Sequence, residues 1–310
     1  MYKRQNLGGA ALNIWTQGTY SSPTYKAIIG ASDSGGTIRV GAASNHDLLL
    51  LTNNTERARI TTAGEFQIKG SGEGGPFVYR DGGNGPDITL HGSRGTIASP
   101  TASAGTDLVG NINFAGYDGS SYHRRATING RIDGTVDDGT NSVPTALTFT
   151  TGTTAASESL RISSAGLITS PRQARFWAKS NAAQTLNSNS ANIIKNYQNV
   201  VYNIGNHYDG TNKFTAPVNG YYHFGWSFMI QGSNADTFTY LFGAPLISGN
   251  DIAQEIMSPR SGGATYVSLV GSHVLYLTAG QYVQIRMRQS GGSNVSVRQD
   301  QAYFWGYLQG

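Results

Sequence analysis

The chain has 310 residues, 41 of them glycine, with only 13% charged side chains, a formal net charge of +4 and no cysteine. At roughly 150 residues per domain this predicts two or three domains, and the missing thiols exclude a disulfide framework and thiolate metal sites. The basic residues are scattered, with Arg124-Arg125 and Arg57/Arg59 the nearest to clusters, so the stripe expected of a nucleic-acid binder is absent.

Glycine, serine, threonine and asparagine interrupt the apolar runs before long helices could form, while 17 tyrosines supply material for cores; an all-β chain with many turns is predicted. Residues 1–45 hold short apolar pieces, Ala10 to Trp15 and Tyr25 to Ile29. They are too small to offset their own ordering entropy, so this region is read as an attachment segment ordered by partners. No run resembles a signal peptide or reaches the length of a membrane span. Synthesis in a cytoplasm without membrane insertion is expected.

Residues 46–170 carry an internal repeat. Leu48 to Thr52 leads to Glu56-Arg57-Ala58-Arg59-Ile60 and Gly64, and Leu147 to Thr150 leads to Glu158-Ser159-Leu160-Arg161-Ile162 and Gly166. Each reads as strand, turn, strand, with a glycine able to take positive φ in the next turn. Pairs this short are not stable alone, so several chains are expected to pack together. Between the repeats, Leu108 to Gly119, Ala126 to Ile128 and Val143 to Phe149 read as further strands, and Pro76 to Tyr79 as one more.

Pro171 marks the start of a more aromatic region, 171–310. Its clearest element begins at Gly220, where Tyr222, Phe224, Trp226, Phe228 and Ile230 alternate with Tyr221, His223, Gly225, Ser227 and Met229. This is the period of a strand with one wholly buried face. Strands are also expected at Ala174–Ala178, Val200–Ile204, Thr237–Leu246, Tyr266–Val270, Val274–Leu277, Gln281–Arg288 and Ala302–Leu308. In the last of these, Tyr303, Trp305 and Tyr307 oppose Phe304 and Leu308. A strand apolar on both sides needs cover on both, which makes Tyr303, Trp305 and Tyr307, with His223, candidate contacts between subunits.

The common catalytic and cofactor signals are absent or have plainer explanations. Gly70 to Gly75 fits Gly-x-Gly-x-x-Gly, but a strand is expected after it where a dinucleotide site needs a helix. The six histidines are widely spaced and form no His-x-x-x-His pair. Asp133 with Asp137-Asp138 is an acidic cluster that a glycosidase could use, yet Asp133-Gly134, Asp138-Gly139 and Asp209-Gly210 are all strong turn signals. No enzymatic activity, cofactor or metal is expected.

Phe214, Ala216-Pro217 and Gly220-x-Tyr222-x-Phe224, followed by Leu277-x-x-Gly280-x-x-Val283 and Phe304-x-Gly306-x-Leu308, resemble the C1q/TNF-like jelly roll over roughly the last 135 residues. The repeat, ending in Glu-Arg-x-Arg-Ile at Glu56 to Ile60, resembles the shaft module of bacteriophage tail fibres; the second repeat departs from that pattern at Ser159. Together these resemblances imply an elongated homotrimer with a β-rich shaft and an antiparallel jelly-roll head. The implied role is a virion tail fibre, joined at its N-terminus to other virion proteins and binding host-surface glycan or protein through the head. Gln231, Asn234, Asp236, Arg260, Gln289 and Asn294, in three expected turns, are the candidate receptor contacts. A capsid-decorating fibre is the alternative, and a polysaccharide depolymerase the third.

Overall fold

The computed structural model describes residues 40–42, 45–70, 76–80, 83, 85–231, 240–252, 256–257, 266–290 and 294–309 throughout, and the backbone alone of the strands within 2–39 and at 238–239, 258–259 and 291. The chain divides into two compact units, Met1–Thr89 and Leu90–Gly310.

In the first unit, strands Tyr2–Asn6, Gly9–Ile14, Ala27–Ala31 and Ile38–Ala42 form an antiparallel sheet in chain order, so the region expected to lack a core has regular backbone pairing. The first repeat follows as the sheet Leu48–Thr52, Thr55–Ile60, Phe66–Ile68. Its tight turn places both Asn53 and Asn54 at positive φ, the conformation that a two-residue hairpin requires and asparagine tolerates. Pro76 to Tyr79 form no strand. The rings of Phe77 and Tyr79 stack instead, 6.3 Å apart. Of the glycine-rich run, residues 71–75 lie outside the described residues.

In the second unit the short pair Arg94–Gly95 and Pro100–Thr101 precedes a five-stranded sheet, Leu108–Tyr117, Tyr122–Ile132, Thr145–Thr151, Ser157–Ile162 and Ile168–Thr169, again in chain order. Cross-strand register lines Ile112, Ile128, Phe149 and Leu160 along one face. The opposite face is polar: Thr127 Oγ1 lies 2.5 Å from Thr150 Oγ1, and Asn129 donates to Thr127 Oγ1 at 2.8 Å. Buried polar side chains on that face therefore satisfy one another.

Both repeats close on the same three-residue clasp. In the first, Arg59 donates through Nε to Glu56 (2.5 Å) and through Nη1 to Asp47 (2.8 Å), and Asp47 also accepts the Thr62 N–H (3.0 Å). In the second, Arg161 donates to Glu158 (3.1 Å) and Asp133 (2.9 Å), and Asp133 accepts the Ser164 N–H (2.9 Å). Gly64 and Gly166 take φ of 82° and 79° in the following turns. The Glu56 carboxyl is held down to about 2, first by its hydrogen bond from Arg59 and then by Lys69, against a smaller effect of burial. Asp133 was expected to act as a turn residue; its carboxylate instead ties two segments together. Asp137 does serve the turn, accepting from the Gly139 N–H (3.0 Å) and the Thr140 hydroxyl (2.8 Å). The positive φ in that turn falls on Asn141 rather than on a glycine.

Residues from Arg175 onward form two antiparallel sheets face to face. One has the order Gln184–Leu186, Val295–Val297, Gly220–Gln231, Tyr303–Leu308, Arg175–Lys179, Asn199–Ile204, with Tyr266–Leu277 along the other side of the central strand. The second is built on Tyr282–Gly291 and Phe238–Ile247. The predicted inner residues Tyr222, Phe224, Trp226, Phe228 and Ile230, and Val283, Ile285 and Met287, are all buried between them. Phe176 sits at the hub, its ring centroid 4.7 Å from Tyr208, 4.8 Å from Phe304 and 5.0 Å from Phe214. Tyr266–Val270 and Val274–Leu277 were expected as separate strands but are one strand of 12 residues. Gly271 sits within it because the Trp226 indole occupies the space a Cβ there would need, and Gly243 makes the same allowance from the facing sheet.

Candidate self-association face

The outer surface of the first head sheet is set by the alternation that buries its inner surface. Because residues directly opposite share a face, the register builds it row by row. One row crosses five strands as Val274, His223, Tyr307, Arg175 and Ile204. The next runs Ser272, Gly225, Trp305, Trp177, Tyr202, and a third runs Val270, Ser227, Tyr303, Lys179, Asn199. Tyr221 and Tyr276 continue the face at one end, ring centroids 5.2 Å apart.

His223 is the polar centre. Its Nδ1 lies 3.0 Å from the Tyr307 hydroxyl and its Nε2 2.6 Å from Ser272 Oγ, while its ring meets the edge of Trp305 at 5.2 Å. Trp305 stacks on Tyr307 at 6.2 Å, and the Lys179 ammonium lies 4.8 Å from the Trp177 ring centroid. Gly225 is required here, since a Cβ would fall on the Trp305 indole. The bare glycine leaves an open depression of about 450 Å³ whose walls include Trp177, Trp305, Tyr303 and Val270. Tyr221, Val270, Val274, Tyr276, Tyr202 and Tyr307 are exposed in the single chain.

All four residues singled out as candidate subunit contacts, His223, Tyr303, Trp305 and Tyr307, fall on this face. Sequence reasoning missed Trp177, Tyr202, Val270 and Val274. Tyr266, Ser268, Val270, Ser272, Val274 and Tyr276 alternate without a break, a signal that reading the strand in two pieces concealed.

The candidate receptor contacts are distributed differently. Asn234, Asp236 and Arg260 lie outside the described residues. Gln231 is exposed and closes the central strand beside Tyr266, and Asn294 is exposed and accepts the Ser188 N–H at 3.0 Å. Gln289 is 0% exposed; it was placed in a turn, but its strand continues to Gly291 and turns the side chain inward opposite Leu241. The strand ends that flank the three expected turns converge: Gln231 pairs with Tyr266, Phe238 with Gly291, and Tyr240 with Pro259. Asp209 has a structural use, its Oδ1 accepting the N–H groups of Thr211, Asn212 and Lys213. Among the described residues no group of three or more His, Asp or Glu side chains is placed to hold a metal ion.

Among known proteins, the C1q domain family matches residues 175–309. The globular domain of zebrafish complement 1qA is similar at 19% identity, covering 44% of this chain and 98% of that one, with a TM-score of 0.31. Murine APRIL at pH 8.5 is similar at 9% identity over 43% of this chain and 98% of that one (TM-score 0.33), and the Eiger TNF from S. frugiperda at 8% over 45% and 94% (TM-score 0.32). No curated protein matches the chain.

Proposed function

We propose that this chain, with a C1q domain at residues 175–309, is a phage fibre subunit that assembles as a homotrimer through the aromatic face of its head and attaches the particle to a host cell. The observation that carries the assembly is the face itself. A surface of exposed tyrosine and valine beside tryptophan, spanning five strands, is the kind of contiguous apolar patch that marks an interaction site. The face also holds an internally bonded histidine, which a subunit contact can enclose without stranding a polar atom. A second surface supports association: Ile112 and Phe114, on the apolar side of the five-stranded sheet, are both more than half exposed.

What supports the fibre is the repeated Glu-x-x-Arg-Ile motif and its resemblance to phage shaft modules. What supports attachment through the head is the pairing of the strand ends that flank the three expected turns, Gln231 with Tyr266, Phe238 with Gly291 and Tyr240 with Pro259, because recognition residues are usually carried where a sheet scaffold gives way to its connections. The N-terminal region then joins other virion proteins, and the receptor is a surface glycan or protein. No hydrolysis belongs to this reading, because Asp133 and Asp137 have their carboxylates committed to Arg161 and to a turn.

The test is competition. The full chain, and residues 171–310 alone, should block adsorption of particles to host cells. Blocking by 1–170 and none by the head would reverse the assignment. Gold labels on the N-terminus found at the capsid rather than the tail would make the protein a capsid-decorating fibre.

A further inference from the structure

The hairpin between strands Leu108–Tyr117 and Tyr122–Ile132 overhangs an open depression of about 440 Å³, within the ~300–1,000 Å³ range of ligand sites. Its tip is built by Asp118, whose Oδ1 accepts the N–H groups of Ser120 (2.8 Å) and Ser121 (2.9 Å) and whose Oδ2 lies 2.7 Å from His123 Nε2. These bonds, the Ser121 N–H first, hold the Asp118 carboxyl well below the usual carboxylate range. On the other side of the imidazole, Arg125 Nη2 lies 3.2 Å from His123 Nδ1. A guanidinium only donates, so Nδ1 accepts and the proton sits on Nε2, directed at Asp118.

The arrangement commits the carboxylate to amides and imidazole and leaves the arginine without an anion. Its other contact is the Arg124 carbonyl at 3.4 Å, and among the described residues no carboxylate pairs with Arg125 or with its neighbour Arg124. Arg125 lines the depression together with Tyr117 and Thr153. The wall that carries Thr153 is fixed by the Gly152 N–H, which donates to the Arg125 carbonyl at 3.0 Å. The Tyr122 ring, 75% exposed, tilts against Tyr117 at 5.1 Å.

We infer that this hairpin is a second binding site, outside the head, for a carboxylated saccharide. The planar guanidinium fork suits a carboxylate, which it grips with two parallel hydrogen bonds. The Tyr117 ring, which lines the depression and whose hydroxyl donates to the Gly119 carbonyl at 3.1 Å, offers an apolar surface to the C–H face of a sugar, and Thr153 offers a hydroxyl to a ring oxygen. A bare phosphate would use the arginine and leave Tyr117 idle. The site deepens the attachment reading and rests on it for its biological purpose, naming an acidic surface glycan as one receptor chemistry.

The experiment titrates the full chain, by calorimetry, with a glucuronate-containing disaccharide, its neutral glucose counterpart and inorganic phosphate. The acidic disaccharide should bind at least tenfold more tightly than the neutral one. Arg125→Gln should lose at least tenfold, Arg125→Lys nearly as much, and Tyr117→Ala severalfold, each with an unchanged circular dichroism spectrum. Absence of acidic-disaccharide binding, equal affinity for the two sugars, or indifference to Arg125→Gln would each overturn the inference. Phosphate binding as tightly as the disaccharide, with Tyr117→Ala without effect, would overturn the saccharide class. Any of these failures leaves adsorption by the head untouched, so the hairpin and the attachment reading fail separately.

Discussion

Val270→Asp is the sharpest test of the aromatic face. Val270 is 67% exposed in the single chain, stands directly opposite Ser227 and lines the depression beside Trp305. In an isolated subunit an exposed substitution of this kind changes stability by no more than about 0.5 kcal/mol. In a closed contact the carboxylate loses its water, and the effective penalty is several kcal/mol per unpaired ion. Lys179, the cation in the same row, stands three strands away. Even about 3 kcal/mol per subunit corresponds to roughly 150-fold in each contact, and threefold symmetry repeats it. Light scattering at micromolar concentration should give three times 33.0 kDa for the wild type and a single chain for Val270→Asp. Val218→Asp is the control: it makes the same change at a valine 48% exposed in the turn before the central strand, and should keep the assembled mass. A wild-type chain that runs as a monomer, or a Val270→Asp variant that keeps the assembled mass, would show that this face does not join the subunits.

Two further predictions concern the fold. Phe176→Ala removes the hub on which Tyr208, Phe214 and Phe304 converge, and should cost about 3–5 kcal/mol, read as a lower urea midpoint at unchanged slope; a loss below about 1 kcal/mol would mean that the surrounding rings collapse into the space. Asp133→Asn weakens the second clasp in a pH-dependent way. The Asp133 carboxyl is lowered first by the Ser164 N–H, with burial opposing and Arg161 assisting. A depressed carboxyl contributes stability above its unfolded value of about 3.9 and loses it as the pH falls through the folded one. The variant should therefore melt roughly a few degrees lower at pH 7, and the gap should close toward pH 3. A gap constant across that range would show that the carboxylate charge has no part in the clasp.

The head was legible wherever burial is one-sided. Tyr222, Phe224, Trp226, Phe228 and Ile230 announce their inner face because the period of two is unbroken, and His223, Tyr303, Trp305 and Tyr307 follow from the same alternation. Failures came where a residue answers to a distant partner. Gly271 looks like a break in its strand until the Trp226 indole is placed against it. The short strands Gln184–Leu186, Ala191–Ile193 and Val295–Val297 lie among asparagines and serines; the first and last pair with each other, and the middle one is held by Tyr282–Gly291. Gln289 follows its strand into the core although its composition suggests a turn. Trp177 and Tyr202 needed the strand order before they could be assigned to the aromatic face.

The repeats show how a motif can be visible while its reason is not. In a regular strand, residues three apart point to opposite faces, so Glu56 and Arg59, or Glu158 and Arg161, should be unable to meet. Each repeat solves this with a β-bulge at the same place: Leu50 pairs with Ala58 and Leu51 with Glu56, while Phe149 pairs with Leu160 and Thr150 with Glu158. The extra residue is Arg57 in one and Ser159 in the other, the position at which the second repeat departs from the motif. One inserted residue restores the phase and brings acid and arginine onto one face. The bulged side chain is then excluded from the clasp, and in both repeats it bonds the threonine that ends the preceding strand, Arg57 Nε to Thr52 at 2.8 Å and Ser159 Oγ to Thr151 at 2.7 Å. Arginine and serine are interchangeable there because only a polar atom within reach of that threonine is asked for. The third member stayed hidden for a different reason. Asp47 precedes its arginine by 12 residues and Asp133 by 28, so no fixed spacing marks it; only the register of the strands delivers an aspartate from either distance to the same arginine.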